Sequence, residues 1–241
     1  MKAGYLGRQI KYRLGTLTLL ATSPGLQGRL ERVARAMESA LEEIGLELRV
    51  PPALPEVSSA VGRRDFLHPS VERLMVRDAV ELRGGDGVGL LFVEKLLADR
   101  WFSHWHDGPR CAVISTRGEA QLAPHTLEGF LAYEILLHGL RALSPMYAPE
   151  QIWHEDVRGC LFDLCRQKVN VTLKLRCGWI CPDCSGRLMG LRLPARGLRP
   201  ALDAMRELAL SETRPGTASV AGDDLIVAPR FGGLANLNPF A

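Results

Sequence analysis

The chain has 241 residues, of which 46% are hydrophobic and 24% charged, and its formal net charge is +3. This composition is ordinary for a soluble globular protein with one good-sized core, or one domain with an appendage. No apolar run reaches membrane-spanning length, and the net charge is too small to indicate nucleic-acid binding by itself. The basic start leads into a strand, so we expect no signal peptide and a cytoplasmic location where thiols stay reduced.

A strand–helix–strand unit opens the chain. Residues 16–21 form an apolar run, and Ser23 and Pro24 follow as a helix N-cap and first helical residue. Gly45 marks the expected helix end, and the alternation over 46–50 predicts a second strand. Between them, apolar residues recur at steps of three and four, as on one buried helix face: Leu26, Leu30, Val33, Met37, Leu41 and Ile44.

The next elements are predicted from shorter patterns. Residues 70–82 fit a helix, and strands are expected at 88–93 and 111–116. The GGDGVG stretch at 84–89 fits no phosphate-binding motif, so we interpret it as a turn. Cys111 is interpreted as a small buried hydrophobic residue.

Residues 126–143 predict a central helix that is apolar on nearly every side. Glu134 and His138 interrupt it at i and i+4, and so share one face. Either the two groups satisfy one another or face a wet edge, or they point into a cleft and act as metal ligands or as acid and base. We favour the interpretation in which the two groups satisfy one another or face a wet edge.

Histidines elsewhere carry weaker signals. In SHWHDG, a strand would place His104 and His106 on one face with Asp107 nearby, as a candidate metal pair. The favoured interpretation of this stretch is a polar loop or edge strand. His68 and His125 lie in no recognisable motif.

Five of the six cysteines lie within residues 158–184. Cys160 and Cys165 form one close pair, Cys181 and Cys184 form another, and 15 residues separate the pairs. This arrangement predicts a structural zinc held by four thiolates. A redox pair at CPDC lacks the expected βαβ context, and an iron–sulfur cluster fits the spacing less well.

The segment between the cysteine pairs has an alternating pattern. Val169, Val171, Leu173, Leu175 and Cys177 share one parity, which predicts a strand with Cys177 facing the core. Nine extended residues would span roughly 30 Å. The chain must nevertheless return for both pairs to meet one ion, so this run must bend or is not one straight strand.

Residues 166–206 are locally basic, with nine Lys or Arg against two Asp. These cations are suited to stabilise a zinc–thiolate centre, and a nucleic-acid face is the alternative. The segment shows little interleaving of aromatic residues with the cations, which disfavours the alternative.

Several features occur in the order found in the archaemetzincins, a branch of the zincin-like metallopeptidases. GLLFVEKLL is followed by CAVISTRGEAQL, then by the apolar helix, and then by C-x4-C and CxxC. The chain resembles this family over roughly residues 15–190. The resemblance implies a zincin-like mixed sheet with packed helices and a four-cysteine, zinc-bound C-terminal subdomain.

The active-site motif of the family, HExxHxxGxxH, is degenerate in this chain. With Glu134 in the position of the general base, Tyr133, Leu137 and Leu143 stand where the resemblance places three zinc-binding histidines. Leucine cannot bind zinc, so the catalytic site of the family cannot form in its usual way. The loop between the cysteine pairs is also shorter than in the family, and no histidine directly precedes Cys160.

A rebuilt metal site is the main enzymatic alternative. Glu134 and His138 could supply two ligands and His154 a third, with Glu155 or Asp156 nearby. Such a set would suit iron or manganese better than a peptidase zinc.

Three functions therefore follow as hypotheses. The first is a catalytically degenerate zincin-like protein with one structural zinc that binds a protein or peptide, for example by strand addition. The second is a metal-dependent hydrolase using the rebuilt site, and the third is a zinc-stabilised nucleic-acid binder, for which binding should fall steeply with salt. No membrane partner is expected.

The predicted organisation is an α/β zincin-like domain at 1–150, a zinc subdomain at 151–190, and a C-terminal helix and tail at 191–241. Residues 200–211 predict a helix, and 223–229 a final strand.

Overall fold

The fold is described from a computed structural model, and every statement below concerns the residues that it describes: 15–52, 66–99, 101–117, 127–144, 147–165, 169–191, 193 and 197–211. His125, the strand expected at 223–229 and the C-terminal tail lie outside these ranges. The division into three segments stays a prediction.

A mixed sheet lies at the centre of the described chain. Its five strands are β1 (Gly15–Ala21), β2 (Leu46–Arg49), β3 (Val88–Val93), β4 (Ser103–His106) and β5 (Cys111–Ser115). They lie in the order β2-β1-β3-β5-β4, with β4 antiparallel at one edge and the other neighbours parallel. All residues of β3 and β5 are buried, as expected for strands covered on both faces.

Helices pack on both faces of this sheet. The six α-helices of the described residues are α1 (Pro24–Glu42), α2 (Pro69–Arg83), α3 (Leu127–Leu143), α4 (Val169–Cys177), α5 (Pro182–Gly190) and α6 (Arg199–Ser211). Leu20, Leu91 and Val113 point toward α2, whereas Leu19, Leu90 and Phe92 join the larger core with α1, α3 and α6. The α/β class with a mixed sheet and packed helices is thereby confirmed. No helix in these ranges combines the length and the apolar character needed to cross a membrane.

The first unit forms as the sequence predicts. Ser23 caps α1 by accepting a hydrogen bond from the Leu26 backbone N–H at 3.2 Å. Gly45, at φ 82°, turns the chain from α1 into β2, a conformation that glycine adopts without steric cost.

Helix α3 is the central helix that the sequence predicts. Residues Leu127 to Arg141 are all buried. At Gly139 a Cβ atom would lie 3.0 Å from side-chain atoms of Leu17 and Leu46, so α3 approaches the sheet closely there. The polar groups of Glu134 and His138 are consequently held deep in the molecule, at 2% and 3% exposure.

The strand predicted at 169–177 is wrong, because these residues form helix α4. Val171, Lys174 and Leu175 share the buried face at helical spacing, while Leu173 is 43% exposed and Cys177 is exposed. Packing of this face overrides the β-propensity of the valines. A nine-residue helix spans only about 14 Å, which removes the difficulty of bringing both ends of the segment toward one ion.

Candidate metal centre and neighbouring cavity

Four side chains converge where the loop before α4 meets the start of α5. They are His154, Cys160, Cys181 and Cys184, and their candidate ligand atoms all lie within 4.8 Å of one another. The three cysteines are at most 1% exposed. A buried set of three thiols and one imidazole is typical of a closed tetrahedral zinc site.

The local backbone orients the cysteines. Cys160 Sγ accepts hydrogen bonds from the backbone N–H of Phe162, at 3.5 Å, and of Cys181, at 3.3 Å. Cys181 is the N-cap residue of α5, and Cys184 lies in the first turn of that helix. Backbone N–H groups pointing at sulfur favour the thiolate form that binds metal.

His154 is held in a defined orientation. Its Nδ1 lies 2.9 Å from the backbone carbonyl of Asp156, and its Nε2 lies 3.7 Å from Cys181 Sγ. With Nδ1 directed at the carbonyl, Nε2 is the ring nitrogen that faces the sulfurs and is available to bind a metal. This is the usual hydrogen-bonding arrangement of a histidine that binds zinc.

Asp163 supports the same loop. Its Oδ2 accepts hydrogen bonds from the backbone N–H groups of Arg158, at 2.9 Å, and Gly159, at 2.6 Å. Its Oδ1 lies 3.4 Å from His154 Nε2 and has no hydrogen-bond partner among the described residues. The carboxylate therefore holds the backbone turn that precedes Cys160. It also adds negative charge beside the imidazole of His154.

The thiols differ in their acidity. Burial raises the pKa of Cys160 and the pKa of Cys184. Burial also acts to raise the pKa of Cys181, but hydrogen bonds from Cys184 and Cys160 outweigh it and hold that pKa below its usual value. Cys181 is thus the most readily deprotonated of the three thiols, whereas thiolates at Cys160 and Cys184 need a compensating cation in this buried space.

The donor set fits zinc on chemical grounds. Tetrahedral ligands with bonds of about 2.0–2.3 Å lie roughly 3.3–3.8 Å apart, which the observed spread of these atoms accommodates. Soft thiolates with one imidazole suit zinc better than magnesium or calcium. Four protein ligands leave no open position for a substrate, so the chemistry of such a centre would be structural.

The fourth predicted cysteine ligand lies outside this cluster. Cys165 instead hydrogen-bonds with the buried amine of Lys174, and burial raises the pKa of its thiol. Three of the four predicted cysteines are therefore brought together, and His154 completes the group. The order H-x5-C in HEDVRGC was the sequence signal for this ligand, but the closer cysteine spacing favoured Cys165.

Glu134 and His138 form a pair inside the protein. Glu134 Oε2 lies 3.2 Å from His138 Nε2, which is also 3.4 Å from Ser103 Oγ. The imidazole stacks on Trp105 of β4, with ring centroids 5.8 Å apart. Within the described chain, neither Glu134 nor His138 belongs to a group of three potential metal ligands, and the structure does not bring His154 to them as the rebuilt site requires.

A cavity of about 210 Å³ lies beside this pair, between α3, α4 and the chain leading into β4. Glu134, Cys165 and Lys174 are among the residues that line it. Lys174 Nζ is hydrogen-bonded to Tyr133 Oη at 3.0 Å and to the carbonyl of Asp163 at 2.8 Å, and burial lowers its pKa. The rest of the wall is largely apolar and includes four aromatic residues: Trp101, Phe102, Tyr133 and Trp153.

The HxH histidines meet a different partner. Glu72 of α2 is 4% exposed, and its Oε1 lies 2.9 Å from His104 Nδ1 and 2.9 Å from His106 Nε2. His104 Nε2 is also 2.9 Å from Asp99 Oδ1, and these hydrogen bonds raise the pKa of His104 to about 9. The edge-strand interpretation of this stretch is confirmed, and both imidazoles face one side. Among the described residues, His104, His106 and their carboxylate partners do not form a group that could hold a metal ion.

Comparison with known proteins gives one structural likeness. No family model and no curated protein matches the chain. Among solved structures, archaemetzincin from Methanopyrus kandleri matches with a TM-score of 0.46 and 16% sequence identity, over 77% of this chain and 96% of that chain. Such values assign neither an activity nor a ligand to this protein.

Proposed function

We propose that this chain is a catalytically degenerate, zincin-like binding protein. One structural zinc, held by His154, Cys160, Cys181 and Cys184, stabilises the segment after α3. The cavity beside Glu134 then binds a peptide or a segment of a partner protein without cleaving it. The observation that carries this proposal is the content of the cavity wall: Tyr133 and Leu137 line it at the positions where the sequence resemblance places zinc-binding histidines.

The location of β4 supports a peptide ligand. This strand is at the edge of the described sheet, and Phe102 and Ser103 line the cavity at its beginning. An extended peptide added alongside β4 would place a side chain at the cavity mouth. Strand addition of this kind obtains affinity from main-chain hydrogen bonds and specificity from side-chain pockets.

The alternatives have less support. The hydrolase hypothesis requires a third ligand beside Glu134 and His138, and none is grouped with them in the described part of the chain. The nucleic-acid hypothesis rests on the basic segment alone and stays a prediction. A second bound metal that disappears in a His138→Ala variant would favour the hydrolase.

The test is a binding and cleavage assay on the zinc-loaded protein. Synthetic heptapeptides retained by the immobilised protein are measured by fluorescence anisotropy, and their integrity is followed by mass spectrometry. Trp101→Ala removes an exposed part of the cavity wall, and Leu74→Ala on α2 is the matched control, since the two side chains are 44% and 47% exposed. We expect intact peptides, binding at least tenfold weaker in Trp101→Ala, and no change in Leu74→Ala. Peptide cleavage, absence of peptide binding, or equal binding by both variants would overturn the proposal.

A further inference from the structure

The cavity between α3 and α4 is lined by aromatic rings that the protein itself leaves partly uncovered. Trp101 is 44% exposed, and Phe102 and Trp153 are only partly buried. Leu137 of α3 and Val171 of α4, which also line the cavity, are at most 4% exposed. An apolar, concave site with partly exposed aromatic residues around it is typical of a place where a ligand is bound.

The amine in the wall of this cavity is already engaged. Lys174 Nζ lies 3.0 Å from Tyr133 Oη, 3.3 Å from the carbonyl oxygen of Leu161 and 2.8 Å from that of Asp163. An amine makes three hydrogen bonds whether it carries two protons and a lone pair or three protons. These three contacts therefore exhaust its capacity, and Lys174 has none left for an anionic ligand.

The acidic side chains of the wall are also directed at protein groups. Asp163 Oδ2 accepts two backbone hydrogen bonds in the turn before Cys160, and its Oδ1 faces His154. Glu134 is 2% exposed, and its Oε2 lies 3.2 Å from His138 Nε2. A charged ligand would lose its hydration on entering, while these groups already have contacts within the protein. The cavity therefore favours a neutral ligand.

The size of the cavity indicates what such a ligand is. Its volume is about 210 Å³. An apolar protein cavity of about 150 Å³ is large enough to bind benzene, so this one admits a single six-membered ring. Next to it, the ring centroids of Phe102 and Phe130 are 5.9 Å apart, and those of Phe130 and Tyr133 are 6.3 Å apart. These separations are typical of favourable aromatic pairs, and a further ring would extend the same cluster.

We propose that the cavity is a specificity pocket for one aromatic side chain of phenylalanine size. The ring packs against Trp101, Phe102 and Trp153, while the main chain that carries it stays outside the cavity. The inference rests on the proposed peptide-binding function and specifies it, because it names the side chain that the bound segment inserts. Lysine and glutamate side chains are excluded by the loss of their hydration, and alanine leaves the pocket unfilled.

The first experiment tests the pocket with small probes and the full zinc-loaded chain. Binding of toluene, n-butylammonium and butyrate is measured by calorimetry and from the fluorescence of the tryptophans in the cavity wall. We expect toluene to bind at least tenfold more tightly than either charged probe. Equal or tighter binding of a charged probe, or no binding of toluene, would overturn the inference.

Two matched variants test whether toluene occupies this cavity. Leu137→Trp adds a larger side chain to the wall and should weaken toluene binding at least tenfold. Leu74→Trp, at a 47% exposed position of α2 outside the cavity, should leave toluene binding unchanged. Trp101→Ala removes an exposed part of the wall and is the second test, which should also weaken binding. Undiminished toluene binding in Leu137→Trp, or in Trp101→Ala where Leu137→Trp does not fold, would contradict the inference.

Four peptides then separate the pocket from the function on which it rests. They are acetylated and amidated pentapeptides of one sequence that carry Phe, Leu, Lys or Glu at the central position. We expect the Phe peptide to bind at least threefold more tightly than the Leu peptide and at least tenfold more tightly than the two charged peptides. Equal binding of the Phe and Leu peptides, or of all four, would refute the inference and leave the proposed peptide-binding function intact. Absence of binding by all four would refute the proposed function itself.

Discussion

Asp163 shows how one buried side chain can organise a metal centre without binding the metal. Its two hydrogen bonds from backbone N–H groups hold the turn before Cys160, and its second oxygen faces the His154 ring. Groups that orient metal ligands in this way commonly contribute one to two orders of magnitude to affinity.

We therefore predict that Asp163→Asn lowers zinc affinity by about 10- to 100-fold, because the loop loses its charged acceptor. Competition with a chromogenic zinc chelator would measure the change. Asp183→Asn is the matched control, since this carboxylate lies between Cys181 and Cys184 in sequence but its side chain is 77% exposed. Equal losses in the two variants would mean that overall charge, rather than the hydrogen bonds of Asp163, sets the affinity.

His104 is a second residue with a specific electrostatic role. Hydrogen bonds to Glu72 and Asp99 raise its pKa to about 9 in the folded protein, against about 6.5 in an unfolded chain. A raised pKa stabilises the fold fully below the unfolded value, and this contribution is lost as pH rises through about 9.

The wild-type protein should accordingly lose on the order of 1–2 kcal/mol of unfolding free energy between pH 7 and pH 10, after allowance for partial solvent screening. His104→Asn should show a flatter dependence over this range. Urea unfolding at a series of pH values would compare the two slopes. Parallel curves for the two proteins would show that the His104 ion pairs do not contribute to stability.

At the scale of elements, the sequence predicts the helices and strands that carry a long, regular apolar pattern. Helices α1 and α3 carry apolar stripes over many turns, and β3 and β5 are continuous apolar runs. Helix α4 could not be predicted, because in nine residues an alternating pattern of valines and leucines resembles a strand. Only packing against α3 and α6 selects the helix.

The metal site shows a similar limit. Cysteine spacing identified Cys160, Cys181 and Cys184 as neighbours, because close pairs separated by a loop commonly share an ion. Spacing could not decide between Cys165 and His154, since this choice depends on how the loop turns at Gly159. Gly159 has φ 81°, and a Cβ there would lie 2.5 Å from Cys177 Sγ.

This turn gives an element-scale prediction. Gly159→Ala should lower the free energy of unfolding by about 1–2 kcal/mol or more, because alanine disfavours a left-handed backbone and would clash with Cys177. Gly186→Ala in α5 is the matched control. Its Cβ would contact nothing within 4 Å, and it should stabilise the helix by about 0.5–1 kcal/mol. Chemical denaturation measures the free energy of unfolding of both variants. An unchanged free energy in Gly159→Ala would refute the described turn.

At the scale of the whole molecule, the metal centre and the cavity share one segment. The chain from His154 to Cys184 supplies all four candidate zinc ligands, and it also contributes Asp163, Cys165 and Lys174 to the cavity wall. Zinc would thus hold one side of the ligand site in place while taking no part in chemistry. The proposed function is compatible with this arrangement, because the candidate zinc ligands are separate from Tyr133, Glu134 and Leu137 on α3.

The most direct test of this account is the zinc content and coordination of the purified protein. Plasma mass spectrometry should give one zinc per chain, and X-ray absorption should show three sulfur ligands and one nitrogen ligand. Cys181→Ser should lose the metal, whereas Cys165→Ser and His138→Ala should keep it. A folded protein without metal, or a site with four sulfur ligands that is lost in Cys165→Ser, would contradict the account.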